Sequence, residues 1–299
     1  MPRRIALIVN PSAGGGKTAG LLPQVEERLR DLGLVIETLR TDDMDHGRRL
    51  AVQAAGRGEI PVVLSGDGLV GAVAAALSEL PDATMGVLPG GRGNDFARVA
   101  GIPLDALEAC DVIAHGEAIP FDIGDADGAR FIGIASAGFD SDANRIANEA
   151  PSQLGAAAYA YAAIRALAAW KPARFTVDVD DDRRSFSGWT VAAANSQAYG
   201  GGMYVAPHAD LHDGLIDLVL ISGASKLTFL RNFPKVFKGT HVQTPNVHEL
   251  RGRTVHLAAD RPFPLYADGD PIGELPVTVR TIPDAIRILV PAEPEPAAA

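Results

Sequence analysis

The sequence predicts an α/β domain with a parallel sheet, followed by a second domain made mostly of antiparallel strands. In the first part of the chain, short apolar runs alternate four times with glycine-rich turns and helical patterns. Such alternation is typical of a parallel sheet with helices on both faces, a three-layer arrangement. From near Ile119 onward, apolar segments are separated mainly by turns, which favours antiparallel sheet.

Four apolar runs in the first part predict buried strands, because parallel strands covered on both faces are apolar throughout. We place these strands at residues 5–9, 34–39, 60–64 and 85–88, and helices at residues 21–32, 48–55 and 70–80. The first helix has apolar residues at helical spacing and stops at Gly33, a common helix end.

The second part contains seven strand-like segments, beginning near residues 121, 131, 175, 189, 215, 254 and 286. Only two helices are expected there, at residues 152–170 and 226–237. We therefore expect a first domain at residues 1–120, completed by a last strand at about 283–292, and a second domain at 121–282. The tail at 293–299 is too poor in large apolar residues to pack, and we expect disorder.

The composition narrows the range of partners. The net charge is −10 over 299 residues, so nucleic acid is not expected as a partner, and loose adsorption to anionic lipid is disfavoured. The single cysteine excludes an internal disulfide and fits a cytoplasmic protein. The apolar segment Leu154–Trp170 is interrupted by Arg165 and is mostly alanine, so we interpret it as a packed helix and not a membrane span.

Three glycine-rich loops follow predicted strands, and we name them loop 1 (residues 10–18), loop 2 (residues 65–68) and loop 3 (residues 88–98). Backbone N–H groups in such loops, at the start of a helix, suit phosphate. Loop 1 partly matches both the P-loop and the dinucleotide pattern, in which Glu37 would meet a ribose. Each loop alone is also compatible with a simple turn, but three at the carboxyl edge of one sheet indicate a ligand site.

The three loops together resemble the catalytic domain of diacylglycerol and sphingosine kinases. The resemblance rests on Val9-Asn10-Pro11 with Lys17, on Ser65-Gly-Asp-Gly68, and on the run from Pro89 to Arg98. It continues through residues 195, 200–202, 206–217, 239–241 and 268–270, and so covers nearly the whole chain in order. It implies a phosphofructokinase- or NAD-kinase-like nucleotide domain, a β-sandwich domain, and a cleft between them where ATP phosphorylates a lipid hydroxyl.

The resemblance also implies roles for individual residues. Asp67 is expected to contact the nucleotide and to hold catalytic Mg²⁺, and Asp270 to act as the general base. The alternative to a catalytic role for Asp268-Gly-Asp270 is a simple hairpin turn. The remaining nucleotide-site residues are Asn10, Lys17, Thr41, Ser65, Gly66, Gly68, Leu69, Gly71, Arg92, Gly93 and Asn94.

Some positions depart from the family pattern. Leu69, Gly71 and Ala72 stand where bacterial members prefer Thr, Asn and Glu, Arg92 replaces a hydroxyl residue, and Asp270 replaces a Glu. These departures leave open a catalytically silent lipid- or nucleotide-binding relative. A reductase using NAD(P) through loop 1, and a kinase for a non-lipid metabolite, are further alternatives.

Two more segments have chemical patterns of their own. Asp210, Asp213 and the backbone of Leu215 resemble a structural Mg²⁺ site of bacterial members, although a polar turn explains them equally well. The segment Lys226–Lys238 mixes four cations with three phenylalanines. We expect a helix that buries its aromatic face; contact with a bilayer is the alternative. The expected partners are a lipid substrate and, transiently, a membrane surface, and a homodimer is left open.

Overall fold

The computed structural model describes residues 3–148, 165–180 and 182–292. It divides into two compact units: unit 1 holds the chain up to Ile123 and the segment from Pro283 onward, and unit 2 holds Gly124–Ile282. The predicted tail at 293–299 and most of the predicted helix at 152–170 lie outside the described residues. Of that helix, residues 165–169 are described and are helical.

Unit 1 is built from strands and helices in alternation. Its elements are β1 (Arg4–Val9), α1 (Ala13–Asp31), β2 (Val35–Arg40), α2 (Met44–Gly56), β3 (Ile60–Ser65), α3 (Asp67–Leu77), β4 (Thr84–Pro89), α4 (Asp95–Val99) and α5 (Ala106–His115). Two long strands, β5 (Glu117–Ala126) and β15 (Val277–Val290), have residues in both units.

The sheet of unit 1 is parallel, with the order β2-β1-β3-β4-β15. Helix α1 packs with α5 and α2 packs with α3, so helices cover both faces. The residues of β1, β3 and β4 are almost all buried, as expected for strands covered on both sides. The predicted three-layer α/β class is confirmed.

Unit 2 is antiparallel throughout its described strand pairs. It contains β6 (Ala129–Phe131), β7 (Ile134–Gly138), α6 (Phe139–Asn148), β8 (Ala173–Val179), β9 (Asp182–Ala194), β10 (Ile216–Ser222), α7 (Lys226–Asn232), β11 (Val247–Gly252), β12 (Thr254–Ala259), β13 (Pro264–Ala267) and β14 (Asp270–Glu274). The strands pair in the order β14-β13-β7-β9-β8-β12-β15, and β10 joins β9 to β11. The predicted antiparallel second domain is confirmed.

A group of aromatic side chains forms the centre of unit 2. Trp189 is 1% exposed, stacks on Trp170 with ring centroids 5.8 Å apart, and donates its indole N–H to the Ala224 carbonyl at 3.0 Å. Phe139 and Phe229 pack against the same indole. The core of this unit therefore depends on ring packing between strand β9 and the helices beside it.

Several sequence predictions were wrong in detail. Helix α5 was missed although Asp105 caps it, accepting from the Leu107 and Glu108 N–H groups. We expected only two helices in the second part and did not predict α6, because the charged residues between its few apolar ones obscure the helical pattern. Helix α7 ends at Asn232, and residues 233–238 continue as a 3₁₀ helix because Pro234 cannot donate a helical hydrogen bond.

The single cysteine lies inside unit 1, on α5. Cys110 is fully buried and its thiol donates to the Ala106 carbonyl at 3.2 Å. Burial raises the pKa of this thiol to about 12. Across the described ranges, no helix is both long and apolar enough to cross a membrane.

Candidate functional site

Loops 1, 2 and 3 follow β1, β3 and β4, and the structure brings them into direct contact. Between loops 2 and 3, the Gly90 N–H donates to the Ser65 carbonyl at 2.8 Å. A Cβ atom on Gly91 would lie 2.5 Å from the Gly66 Cα, closer than real contacts allow. The two backbones therefore approach each other at a distance that only glycine permits.

Loop 1 packs against loop 3 in the same way. Gly14 has a φ of +62°, and a Cβ atom there would lie 2.5 Å from the Gly90 carbonyl oxygen. The guanidinium Nη2 of Arg92 lies 3.6 Å from the position of a Cβ on Gly15. The predicted convergence of the three loops is thus present in unit 1.

Asp67 connects loop 2 to helix α4, which begins within loop 3. Its Oδ1 accepts from the Phe96 N–H at 3.1 Å, in the first turn of α4. Burial raises the pKa of this carboxyl, the Phe96 N–H opposes the change, and nearby Asp95 adds to it. The carboxylate is therefore held in place and is partly desolvated beside a second acidic residue.

Asn94 shapes loop 3 from within. Its backbone is left-handed, with a φ of +52°, and its Oδ1 accepts from the Gly91 N–H at 2.9 Å. Its Nδ2 donates to the Gly91 carbonyl at 3.3 Å. Both amide atoms thus hold Gly91 against loop 2, a role in loop geometry that the sequence did not reveal.

The other predicted nucleotide residues have more varied surroundings. The Asn10 Oδ1 accepts from the Ser12 N–H at 3.0 Å, and the buried Thr41 hydroxyl donates to the Asp43 carbonyl. Leu69 is 2% exposed and packs against Gly47, so its side chain belongs to the α2–α3 contact. Gly71 is buried in α3, and Lys17 is exposed in loop 1. The nucleotide roles of these residues, and of Gly68 and Gly93, stay predictions.

Asp270 lies in unit 2, at the start of β14 in the hairpin with β13. The turn has positive φ at Asp268 and Gly269, as expected for Asp-Gly in a tight hairpin. The Asp268 Oδ2 accepts from the Ile132 and Gly133 N–H groups at 3.0 and 3.3 Å, which fixes the turn to a neighbouring segment. Asp270 is exposed beside this anchored turn, and its role as a base stays a prediction.

The acidic loop that contains Asp210 and Asp213, predicted to bind Mg²⁺, lies beside an arginine side chain. The Arg251 guanidinium lies 3.2 Å from the Asp213 Oδ2 and donates to the Asp217 Oδ1 at 3.0 Å. It also donates to the His208 carbonyl at 2.6 Å. The hydrogen bond to Asp217 raises the pKa of Arg251, and the nearby Asp213 and Asp210 carboxylates add to this. This arginine was not singled out in the sequence.

The carboxylates of this loop therefore already have a positive charge beside them, the Arg251 guanidinium, without any metal ion. Asp213 and Asp210 also accept from the Leu215 and His212 N–H groups, both at 3.0 Å. Yet the buried Asp217 Oδ2 has no hydrogen-bond partner, and one guanidinium faces three carboxylates. Among the residues that the structure describes, no three or more His, Cys, Asp or Glu side chains form a metal-holding group. The assignment of Asp210, Asp213 and Leu215 stays a prediction.

Unit 2 also contains a polar cluster that sequence reasoning missed. Asp140 accepts from the Thr190 hydroxyl at 3.1 Å and from the Tyr199 hydroxyl at 3.2 Å. Burial raises the pKa of both Asp140 and Tyr199. The available signal was a carboxylate placed directly after the buried strand β7, within Gly138-Phe-Asp140.

The fold and its loops define a two-unit protein: three glycine-rich loops meet at one edge of the parallel sheet of unit 1, and unit 2 is antiparallel. Residues 4–126 match the diacylglycerol kinase catalytic domain, and residues 133–290 match the YegS C-terminal NAD kinase beta sandwich-like domain. The chain belongs to the diacylglycerol kinase family.

Relatives match over the whole chain. A diacylglycerol kinase of Mycobacterium tuberculosis is 31% identical over 296 residues, covering 96% of this chain and 95% of the relative. One from Bacillus subtilis strain 168 is 29% identical and covers 97% of each chain. A crystal structure described as a candidate diacylglycerol kinase of Bacillus anthracis strain Sterne superposes with a TM-score of 0.81. It covers 96% of this chain and 97% of its own, and at 22% identity it shows the fold alone.

Replacing Gly91 tests the contact between loops 2 and 3. Gly91→Ala should lower the free energy of unfolding by about 1–3 kcal/mol, because the added methyl group must push the backbone of Gly66 away. Gly20→Ala is the matched control, since a Cβ atom there meets nothing within 4 Å. It lies inside α1 and should stabilise the protein by up to about 1 kcal/mol. Urea unfolding measures both, and equal values for the two variants would contradict the proposed contact.

Replacing Arg251 tests the charge balance of the acidic loop. Arg251→Ala should cost about 1–3 kcal/mol, because the buried Asp217 carboxylate loses its charged partner. Mg²⁺ should then raise the melting temperature of Arg251→Ala more than that of the wild type, since it can replace the lost cation. The nearby exposed Arg253→Ala is the control and should change little. A magnesium response that is the same in all three proteins would refute this account.

Proposed function

We propose that the protein is an ATP-dependent lipid kinase that transfers the γ-phosphate of ATP to the hydroxyl group of diacylglycerol or a similar lipid. The observation that carries the proposal is the convergence of loops 1, 2 and 3 in unit 1, where Asp67 of loop 2 accepts a hydrogen bond from loop 3. Full-length similarity to proteins named diacylglycerol kinase supports the same reaction class.

The loops suit a triphosphate for a simple steric and electrostatic reason. The close packing that Gly66, Gly91 and Gly14 permit brings the three loops together, so that backbone N–H groups at one edge of the sheet can meet phosphate oxygens. Arg92 and Lys17 are exposed in the same loops and supply positive charge. A guanidinium can hold phosphate oxygens in a bidentate manner, so Arg92 is compatible with nucleotide binding.

Mg²⁺ fits this site because its hard-oxygen donors are already present. Burial and, to a lesser degree, the nearby Asp95 carboxylate raise the pKa of Asp67, and a divalent cation would stabilise its charged form. Mg²⁺ bound with a nucleotide usually takes only one or two carboxylates and completes its shell with phosphate and water. When bound, it would neutralise the charge that develops on the transferred phosphate.

Transfer requires a base for the acceptor hydroxyl. In the proposed step, the lipid oxygen forms a bond to the γ-phosphorus while the bond from the γ-phosphorus to the β–γ bridging oxygen breaks and ADP leaves. The hydroxyl proton passes to the Asp270 carboxylate and then to water. The Asp268 anchor fixes the backbone that carries Asp270, which limits the conformations that the base can adopt.

A catalytically silent relative is the second candidate. It is favoured by Leu69, whose buried side chain can offer no hydroxyl group to a nucleotide. Nucleotide binding without phosphate transfer would distinguish it from a kinase.

The kinase proposal is tested by the product that forms. With ATP, Mg²⁺ and detergent-dispersed diacylglycerol, the wild type should form a phosphorylated lipid, identified by mass spectrometry. Asp67→Ala should lower kcat/KM more than about 100-fold, because several kcal/mol of charge stabilisation are lost. Asp31→Ala, an exposed aspartate on α1, should retain activity. ATP binding without product from diacylglycerol, a sphingoid base or a total lipid extract would favour the silent relative.

The proposed base is tested on strand β14. Asp270→Asn should lower kcat by about 10²- to 10⁴-fold with little change in the KM for ATP, because proton transfer is lost while nucleotide binding is kept. Asp270→Glu, which restores the family's residue, should retain activity. Glu274→Gln, an exposed change on the same strand, serves as the control. Full activity in Asp270→Asn would exclude this residue as the base.

A further inference from the structure

The segment Lys226–Lys238 exposes an apolar surface, which we call the 226–238 surface. It consists of α7 and the 3₁₀ helix Phe233–Lys238, and neither contains a buried residue. The exposed fractions are 77% for Leu227, 49% for Leu230, 41% for Phe233 and 47% for Phe237. The expectation that this segment buries its aromatic face is therefore wrong for two of its three phenylalanines.

The clustering of these side chains is unusual for this protein. Of the seven exposed large apolar side chains in the described part of the chain, four lie in this one short segment. The other three, Val35, Val52 and Leu104, are spread through unit 1. Single exposed apolar residues need no explanation, but a cluster of them indicates an interaction surface.

The segment is held firmly with this face outward. Phe229 stacks on Trp189 with ring centroids 4.3 Å apart and planes 11° apart, which ties α7 to the core of unit 2. The Ser225 hydroxyl caps the helix by accepting from the Thr228 N–H at 3.1 Å. Lys226 donates to the Ala168 carbonyl at 2.8 Å. Phe233 and Phe237 extend the row outward, with ring centroids 6.0 Å apart.

The charge around this surface has the sign opposite to that of the whole protein. Residues 222–246 contain three lysines and one arginine and no aspartate or glutamate, whereas the whole protein has a net charge of −10. Lys226, Arg231, Lys235 and Lys238 are all exposed. No ion pair joins Arg231, Lys235 or Lys238 to any residue that the structure describes. These cations are thus free to meet an external anion.

We propose that the 226–238 surface docks the protein on an anionic lipid bilayer. Leucine and phenylalanine side chains would enter the boundary between headgroups and acyl chains, while the lysines and the arginine contact anionic headgroups. The combination of exposed apolar rings with unpaired cations selects a lipid surface over an apolar protein groove. The inference builds on the proposed function only in that the acceptor lipid resides in such a bilayer.

The same aromatic row leads inward to a cavity of unit 2. Trp189 stacks on Trp170, and Trp170 lines a cavity of 410 Å³ together with three cations, Arg145, Lys171 and Arg261, and the Asp142 carboxylate. The 226–238 surface and this cavity are thus connected through one row of rings in the same unit.

The test is co-sedimentation with vesicles, without ATP. The wild type should bind vesicles of phosphatidylcholine and phosphatidylglycerol in equal parts, and should bind phosphatidylcholine vesicles more weakly. The variant Leu227→Ser with Phe237→Ser should bind the mixed vesicles at least about tenfold more weakly. The variant Lys235→Gln with Lys238→Gln should lose the preference for anionic vesicles and its dependence on salt. Leu104→Ser, a 40% exposed leucine in unit 1, should bind like the wild type.

Two outcomes would overturn the inference. One is vesicle binding that is the same for the wild type and both double variants. The other is a wild-type dimer that the Leu227/Phe237 variant converts to a monomer without loss of vesicle binding, which would assign the surface to a second copy of the chain. Circular dichroism confirms that the variants fold.

A kinase assay with a soluble short-chain diacylglycerol separates this inference from the proposed function. If the wild type phosphorylates no acceptor but binds vesicles through this surface, the proposed function fails and the surface stands. If soluble acceptor is phosphorylated and the variants bind vesicles normally, the surface fails and the function stands. If both hold, the variants should turn over soluble acceptor at the wild-type rate.

Discussion

The close approach of two backbones, at Gly66 and Gly91, is the constraint on which the site of unit 1 depends. With no side chain on either glycine, loops 2 and 3 can share the hydrogen bond from Gly90 to Ser65. That contact brings the start of α4 next to Asp67, and the Phe96 N–H then holds the carboxylate. The position of the Asp67 carboxylate, next to Gly66 in loop 2, thus depends on a backbone contact that only glycine permits.

The second unit is organised by packing of rings and not by close backbone contact. Trp189 joins Phe139, Trp170 and Phe229 in one group, and these rings add apolar area to the core of unit 2. The same row that stabilises the core also reaches the surface at Phe233. Stability and surface chemistry are therefore coupled, because the rings that anchor α7 also set the direction of its exposed residues.

The sequence revealed those features that depend on local pattern. The apolar runs of β1, β3 and β4 predicted a parallel sheet, and the common edge of such a sheet predicted that the loops after these strands would meet. Features that depend on contacts between distant residues were not accessible. The hydrogen bond between Asp67 and Phe96 spans 29 residues, and the pair of Asp217 and Arg251 spans 34. No local pattern encodes which arginine reaches a given carboxylate. Helix α6 was not predicted because charged residues interrupt its apolar pattern.

Cys110 has a practical consequence. Its thiol is fully buried and has a pKa of about 12, so almost none of it is thiolate at neutral pH, and oxidants and alkylating reagents should leave it unmodified. Since the chain has no other cysteine, a thiol introduced on the surface would be the single reactive one. The native protein is therefore already suited to site-specific attachment of a spin label or fluorophore, without removal of its own cysteine.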